Sequence, residues 1–299
     1  MISIKNVTHT YEKETVLENL CSEIKLGSIY GLIGSNGAGK STLLNVIDGI
    51  FKPLSGEVLI DGINTYENPV LKDKIAYVPD DPFFFNSYSM DEMAKYLNQV
   101  FESFTMEKYK EIKAHFPLES SKKMNTFSKG MKRQAAIIFA LSQSPKLLLC
   151  DECFDGLDPV IKQLVKRNII AEVEKNNMTV IISSHNLREF ENLCDVIGIL
   201  HNKQIILERS IDDIKEVVNK FQVAFENPLP DDAFSEIDII SKQSKGSVTE
   251  LVTRGNKDLV KAKLNDLKPV ILDTLPLSLE DIFIYEMEAN GYDFSKILV

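Results

Sequence analysis

No apolar run in this 299-residue sequence reaches the roughly 18 residues that a helix needs to cross a bilayer. No transmembrane helix is therefore expected. The N-terminus, MISIKNVTHTY, lacks the charged-then-apolar pattern of a secretion signal. Positive charge is in short supply: 34 Lys and Arg stand against 44 Asp and Glu, a formal net charge of −10. That argues against broad nucleic-acid binding, which runs on cations neutralising phosphates, though it leaves room for a local basic patch. Cysteine is sparse, with four in all, two of them as Cys150-x-x-Cys153. No second C-x-x-C or Cys/His pair stands at zinc spacing. The pair reads as two small apolar fillers, with a redox pair or half a zinc site as the alternative. A reducing cytoplasm fits this usage. No internal repeat and no low-complexity tract interrupts the chain.

What is present is ordinary globular composition, 44% hydrophobic and 26% charged, enough for one large or two modest domains. The first 200 residues alternate short apolar runs with amphipathic stretches. Strands are expected at 2–11, 28–34, 56–62, 73–79, 146–150 and 179–185, and helices at 40–50 and 160–175. The helix between the last two strands makes a βαβ unit, hence a parallel sheet covered on both faces. Residues 86 to about 145 change to helical character. Ser89 and Glu92 stand in capping-box spacing before an apolar helical face. Further helices are expected over 106–115 and 129–142. From 216 the pattern becomes a small α+β module. A strand is expected at 220–226, a proline-rich turn at 227–232 and a strand pair around Lys245–Gly246. A helix, a strand and a closing helix to Tyr292 follow.

The segment GSNGAGKS (34–41) fits G-x-x-x-x-G-K-[ST], after a strand and before a helix. Gly34, Gly37 and Gly39 let successive N–H groups curl towards phosphate oxygens, and Ser35, Asn36 and Ala38 complete the loop. The helix starting near Lys40 adds its positive end. Lys40 would reach the β- and γ-phosphates, Ser41 would sit on Mg²⁺, and Thr42 would donate to a phosphate. A second landmark is LLLCDECFDGLDP (147–159), an apolar strand that ends on acids. Buried carboxylates need a cation, a substrate or water beside them. Asp151 would hold Mg²⁺ through water, and Glu152 would polarise the attacking water.

With these motifs the chain resembles the ATP-binding subunit of an ABC transporter, of the bacterial peptide- or antibiotic-exporter type. The resemblance covers residues 1 to about 215. It implies an α/β fold: a P-loop NTPase core with a mostly parallel sheet, an inserted helical subdomain at about 86–145, and a C-terminal accessory module at 216–299. Tyr11 stands where the family stacks an aromatic ring on adenine. FSKGMKRQ (127–134) occupies the signature position, GLDP (156–159) the D-loop and His185 the switch position. The resemblance implies a head-to-tail dimer, homo- or heteromeric, with ATP and Mg²⁺ as cofactors. Ser128 and Gly130 would face the partner's γ-phosphate, His185 the γ-phosphate and the D-loop, and Asp158 the dimer interface. It also implies a separate transmembrane permease, and a cytoplasmic position at the inner face of the membrane.

The chain departs from the family pattern in places. The usual signature L-S-G-G-Q reads F-S-K-G-M here, with Lys129 pointing to solvent or adding charge towards phosphate. Asp80 replaces the Q-loop glutamine. A carboxylate there suits Mg²⁺, a hard cation; a solvated loop acid is the alternative. Phe83, Phe84 and Phe85 follow, lining a groove for the permease or packing the subdomain. The altered positions keep open a weakly hydrolysing partner in a heterodimer. A non-transport ABC ATPase is less favoured: one phosphate loop is present, and too few residues separate Lys40 from Ser128 for a long coiled coil.

Overall fold

The computed structural model describes residues 1–12, 14–226 and 229–289. Two compact units emerge, Met1–Glu208 and Arg209–Val299. The division falls a few residues before the expected position near 215, which lies inside a helix.

In the first unit the elements run β1 (Ile2–Tyr11), β2 (Glu14–Ile24), β3 (Ile29–Ile33), α1 (Lys40–Ile47), β4 (Ser55–Ile60), β5 (Ile63–Asn64), α2 (Pro69–Lys72) and β6 (Ile75–Val78). Then come α3 (Met90–Val100), α4 (Met106–Lys113), α5 (Lys129–Ser142), β7 (Leu147–Asp151), α6 (Pro159–Asn176), β8 (Thr179–Ser184), β9 (Val196–His201) and β10 (Gln204–Ser210). The central sheet has the order β10-β9-β3-β8-β7-β6. Strands β9, β3, β8, β7 and β6 pair in parallel. Every residue of β3, β7 and β8 is buried, as in a sheet covered on both faces. A second sheet, β2-β1-β4-β5, is antiparallel. Its inward side chains, Ile2, Ile4, Val7, Leu17 and Leu20, join Leu32, Leu43, Leu44 and Leu149 in one core. That core fixes the strand ends from which the site loops leave.

Helices α3, α4 and α5 form the helical insertion. Its first helix opens on a full capping box: Ser89 Oγ accepts from the Glu92 N–H, and Glu92 accepts from the Ser89 N–H at 2.7 Å. Of the three consecutive phenylalanines, Phe84 is buried against Phe139, whereas Phe83 is 81% exposed and Phe85 half-exposed. Cys150, Cys153 and Cys194 are buried free thiols. Burial pushes the Cys153 and Cys194 thiols up, so they act as small apolar side chains.

The second unit holds α7 (Ile211–Val217), β11 (Val218–Ala224), β12 (Asp238–Lys245), β13 (Val248–Arg254), α8 (Lys257–Asp266), β14 (Ile271–Leu275) and α9 (Leu279–Ala289). Its sheet is antiparallel, in the order β12-β13-β11-β14. Phe221, Val223, Phe234, Leu251 and Leu264 form a separate core. The start of the expected turn at 227–232 and the end of the closing helix, 290–292, lie outside the described residues.

Candidate nucleotide-binding site

The chain leaves buried β3 at Gly34, whose N–H donates to the Ser184 carbonyl at the end of β8. A Cβ at Gly34 would stand 2.6 Å from the Leu200 carbonyl oxygen, so the loop passes there only as glycine. Gly39 takes φ 105° as the N-cap of α1. It offers no capping side chain, and the first turn of α1 carries no acid. The helix thus begins with backbone N–H groups that no side chain satisfies, which is an anion site.

Lys40 is only 5% exposed. Its ammonium donates to the Gly34 carbonyl at 2.7 Å and the Ser35 carbonyl at 3.0 Å. It also lies 3.2 Å from Glu152 Oε1. That oxygen is buried, and no donor hydrogen is aimed at it despite the nearby ammonium. The proximity is therefore an ion pair without a formed hydrogen bond. Glu152 itself sits just past β7 with φ 48°, a left-handed conformation that a side-chain-bearing residue rarely adopts. Its N–H is held by the Ser183 carbonyl and hydroxyl at 3.2 and 3.1 Å. Its other oxygen, Oε2, is 2.9 Å from His185 Nδ1. The phosphate-loop lysine, the acid and the histidine thus form one connected row.

Asp151 ends β7 and is 3% exposed. Ser183 Oγ donates to one carboxylate oxygen at 2.5 Å, and Tyr77 OH to the other at 3.4 Å. Burial and the Asp151 charge push the Tyr77 phenol up, so it stays a neutral donor. Among the described residues no cation pairs with Asp151. A buried carboxylate met only by hydroxyls is one that a cation would complete.

Tyr11, Val16, Asn36, Gly37, Gly39, Lys40, Ser41, Thr42, Asp80 and Glu152 line one open pocket of about 350 Å³. Tyr11 is 45% exposed at its edge, with its hydroxyl 3.3 Å from Thr42 Oγ1. The rings of His9 and Phe51 meet it edge-on at 5.1 and 5.8 Å, which fixes its plane. Ser128 and Gly130 are not among the lining residues. Ser128 is the N-cap of α5, accepting from the Met131 N–H at 3.2 Å. A Cβ at Gly130 would meet the Gly156 carbonyl oxygen at 3.0 Å. Asp158 caps α6, accepting from the Val160 and Ile161 N–H groups at 3.0 Å each.

Arg133, unmarked in the sequence, is fully buried and pairs with the Asp80 carboxylate. Lys129, half-exposed, lies 3.9 Å from the same oxygen. Asp80 thus sits on the pocket rim between two cations. Only the K-R pair at 132–133 hints at this, and on a helix it reads as a solvated face.

A mostly parallel sheet with this loop, a buried strand-end aspartate and an adjacent glutamate defines a P-loop nucleoside triphosphatase. The family model described as ABC transporter matches residues 17–155. The lantibiotic transport ATP-binding protein SrtF of Streptococcus pyogenes is 34% identical over 230 residues, covering 76% of this chain and 99% of that protein. The ABC transporter ATP-binding protein YtrB of Bacillus subtilis (strain 168) is 29% identical over 284 residues, 95% of this chain and 97% of that protein. A solved ATP-binding cassette, a dimer in a post-hydrolysis state with ADP and Pi, matches with a TM-score of 0.64 at 25% identity. It covers 71% of this chain and 99% of that one. The chain belongs to the ABC transporter family as an ATP-binding subunit, and it is an ATPase.

Proposed function

We propose that the chain hydrolyses Mg-ATP in a head-to-tail dimer and drives export through a separate transmembrane permease. The observation that carries the hydrolytic reading is the row Lys40–Glu152–His185, in which Lys40 and Glu152 line the pocket and His185 backs Glu152. Lys40, released from the loop carbonyls, binds the β- and γ-phosphates. Free N–H groups at the start of α1 take the rest of their charge. Glu152 orients and polarises the attacking water, and His185 holds that carboxylate at Oε2. Tyr11 offers its ring to the base. Ser41 and Asp151 supply oxygen to Mg²⁺, which spreads the phosphate charge when bound. Asp80 stands on the same rim as a further oxygen donor. Ser128 and Gly130 complete the partner's site, which accords with their absence from the pocket of their own chain.

The permease reading is supported by an apolar groove of about 400 Å³ lined by Ile50, Tyr77, Pro82, Phe83, Met93 and Phe139, among others. Phe83, exposed at its edge, suits a short apolar helix as occupant. The lantibiotic-transport role named for the relative supports export as the direction. The ATPase would then work at the inner face of the membrane, with cargo chosen by the permease. A second reading is favoured by the Asp80–Arg133 pair and the F-S-K-G-M signature: a weakly hydrolysing half of a heterodimer.

The test is Mg-ATP turnover by the purified chain beside Glu152→Gln, with size-exclusion chromatography of both in ATP. Turnover in the wild type, lost in the variant together with a shift to dimer, is the expected result. ATP bound without turnover would favour the heterodimer. No binding would end the reading.

A further inference from the structure

Arg133 has the largest side chain among the fully buried residues described, yet it carries a permanent charge. Such a charge is tolerated inside a protein only where partners meet it. Its two amino nitrogens go to two different loops. Nη2 donates to the Asp80 carbonyl at 2.6 Å and to the Asp80 carboxylate. Nη1 donates to the Asp155 carbonyl and lies 3.8 Å from the Asp155 carboxylate. Nε is buried without a partner.

The first of these loops lines the nucleotide pocket through Asp80, and the second is bonded to a residue that lines it too. The Asp155 N–H donates to the Glu152 carbonyl at 3.0 Å, so the turn at 155–156 is tied to the acid that faces the water. Gly156, at φ 70°, presents its carbonyl to the Gly130 backbone, a second point where α5 presses on the turn. The carboxylates of Asp80 and Asp155 are about half exposed, whereas the guanidinium between them is enclosed. Guanidinium is a rigid planar fork, so movement of one partner is passed to the other; an ammonium has no such plane.

We infer that Arg133 is a positioning residue for ATP hydrolysis, tying Asp80 at the pocket rim to the 155–156 turn and through it to Glu152. Nucleotide at the rim is thereby felt at the turn. This rests on the pocket being the ATP site.

A coupling of this kind needs a response measured at the far end. Amide exchange over 153–158 would be followed in the full chain with and without Mg-AMP-PNP. The variants are Arg133→Met, Arg133→Lys, Asp80→Ala and the double variant Asp80→Ala/Arg133→Met. Nucleotide affinity would be measured separately by fluorescence. In the wild type, nucleotide should slow exchange at 153–158 by about threefold or more. Asp80→Ala and Arg133→Met should each lose most of that response, Arg133→Lys should not restore it, and the double variant should be no worse than either single. If Arg133→Met does not fold, Asp80→Ala decides alone, because the Arg133 guanidinium there keeps the backbone carbonyls at 80 and 155 and the Asp155 carboxylate as partners. An undiminished response in Asp80→Ala, or none in the wild type despite bound nucleotide, overturns the inference. Failure of the wild type to bind nucleotide would instead bring down the functional reading, and this inference with it.

Discussion

Lys40 holds its ammonium between two loop carbonyls and Glu152, almost wholly out of water. Phosphate oxygens would exchange for those partners at little cost in ordering, because the ammonium is already held by the loop. Lys40→Ala should therefore do double harm. It removes a charge-assisted contact, and it leaves Glu152 facing the phosphates uncompensated. A fall of about 100-fold or more in ATP affinity is expected, near 2.7 kcal/mol. Titration with a fluorescent nucleotide reads this directly, and unchanged affinity would remove the phosphate loop from its role. At this scale the sequence was informative wherever chemistry fixes a residue type at a spacing. Gly39 caps α1, Lys40 lies beside Glu152, and Asp151 ends the buried strand β7, in the local settings that their motifs describe. Arg133 was illegible, because nothing in K-R-Q-A-A distinguishes a buried guanidinium from a solvated one. Its environment comes from Asp80 and Asp155, distant in sequence. The three phenylalanines were ambiguous for a related reason. Outside regular elements no period says which side chain turns inward, and only the structure separates buried Phe84 from exposed Phe83.

Among the elements, α3 shows how a local signal becomes tertiary structure. The Ser89 donors hold the Glu92 carboxyl below the usual carboxylate range. A carboxyl whose folded pKa is depressed adds stability above its unfolded pKa and loses it as pH falls through the folded value. Ser89→Ala should cost about 1 kcal/mol at neutral pH by removing the cap. Glu92→Gln should also lower the melting temperature at pH 7, and its deficit should shrink as pH falls towards the folded value. Thermal melts of both variants at pH 7 and pH 4 check this; a Glu92→Gln deficit independent of pH would deny the carboxylate its share. Other elements escaped the sequence for definable reasons. β1 falls on the strand expected at 2–11, but its partner β2 was missed; the two pair with register shifts between Ile4 and Val7 and again near His9, where bulges break strict alternation. The β9–β10 hairpin turns on Asn202 and Lys203, both at positive φ, where Asn-Gly would have announced it. The capping box of α3 and the Lys245–Gly246 turn carry their signals in the residues themselves and were legible.

For the whole molecule, charge sets a consequence that no single residue shows. Two chains of formal charge −10, each holding an anionic nucleotide, repel one another on approach. The proposed head-to-tail dimer would have to overcome that field through local contacts, and Lys129 at the start of α5 is a cation beside the Ser128 cap. Salt screens the long-range part first: the Debye length falls from about 30 Å at 0.01 M to about 8 Å at 0.15 M. Short contacts within the interface are screened less. ATP-dependent dimerisation of Glu152→Gln should therefore strengthen as salt rises over that range. Analytical ultracentrifugation in Mg-ATP at both ionic strengths reads the association constant. Weaker association at the higher salt would mean that complementary charges in the interface outweigh the net repulsion. Lys129→Ala would then be expected to reduce the salt dependence, because it removes a cation from the face proposed to meet the partner's phosphates.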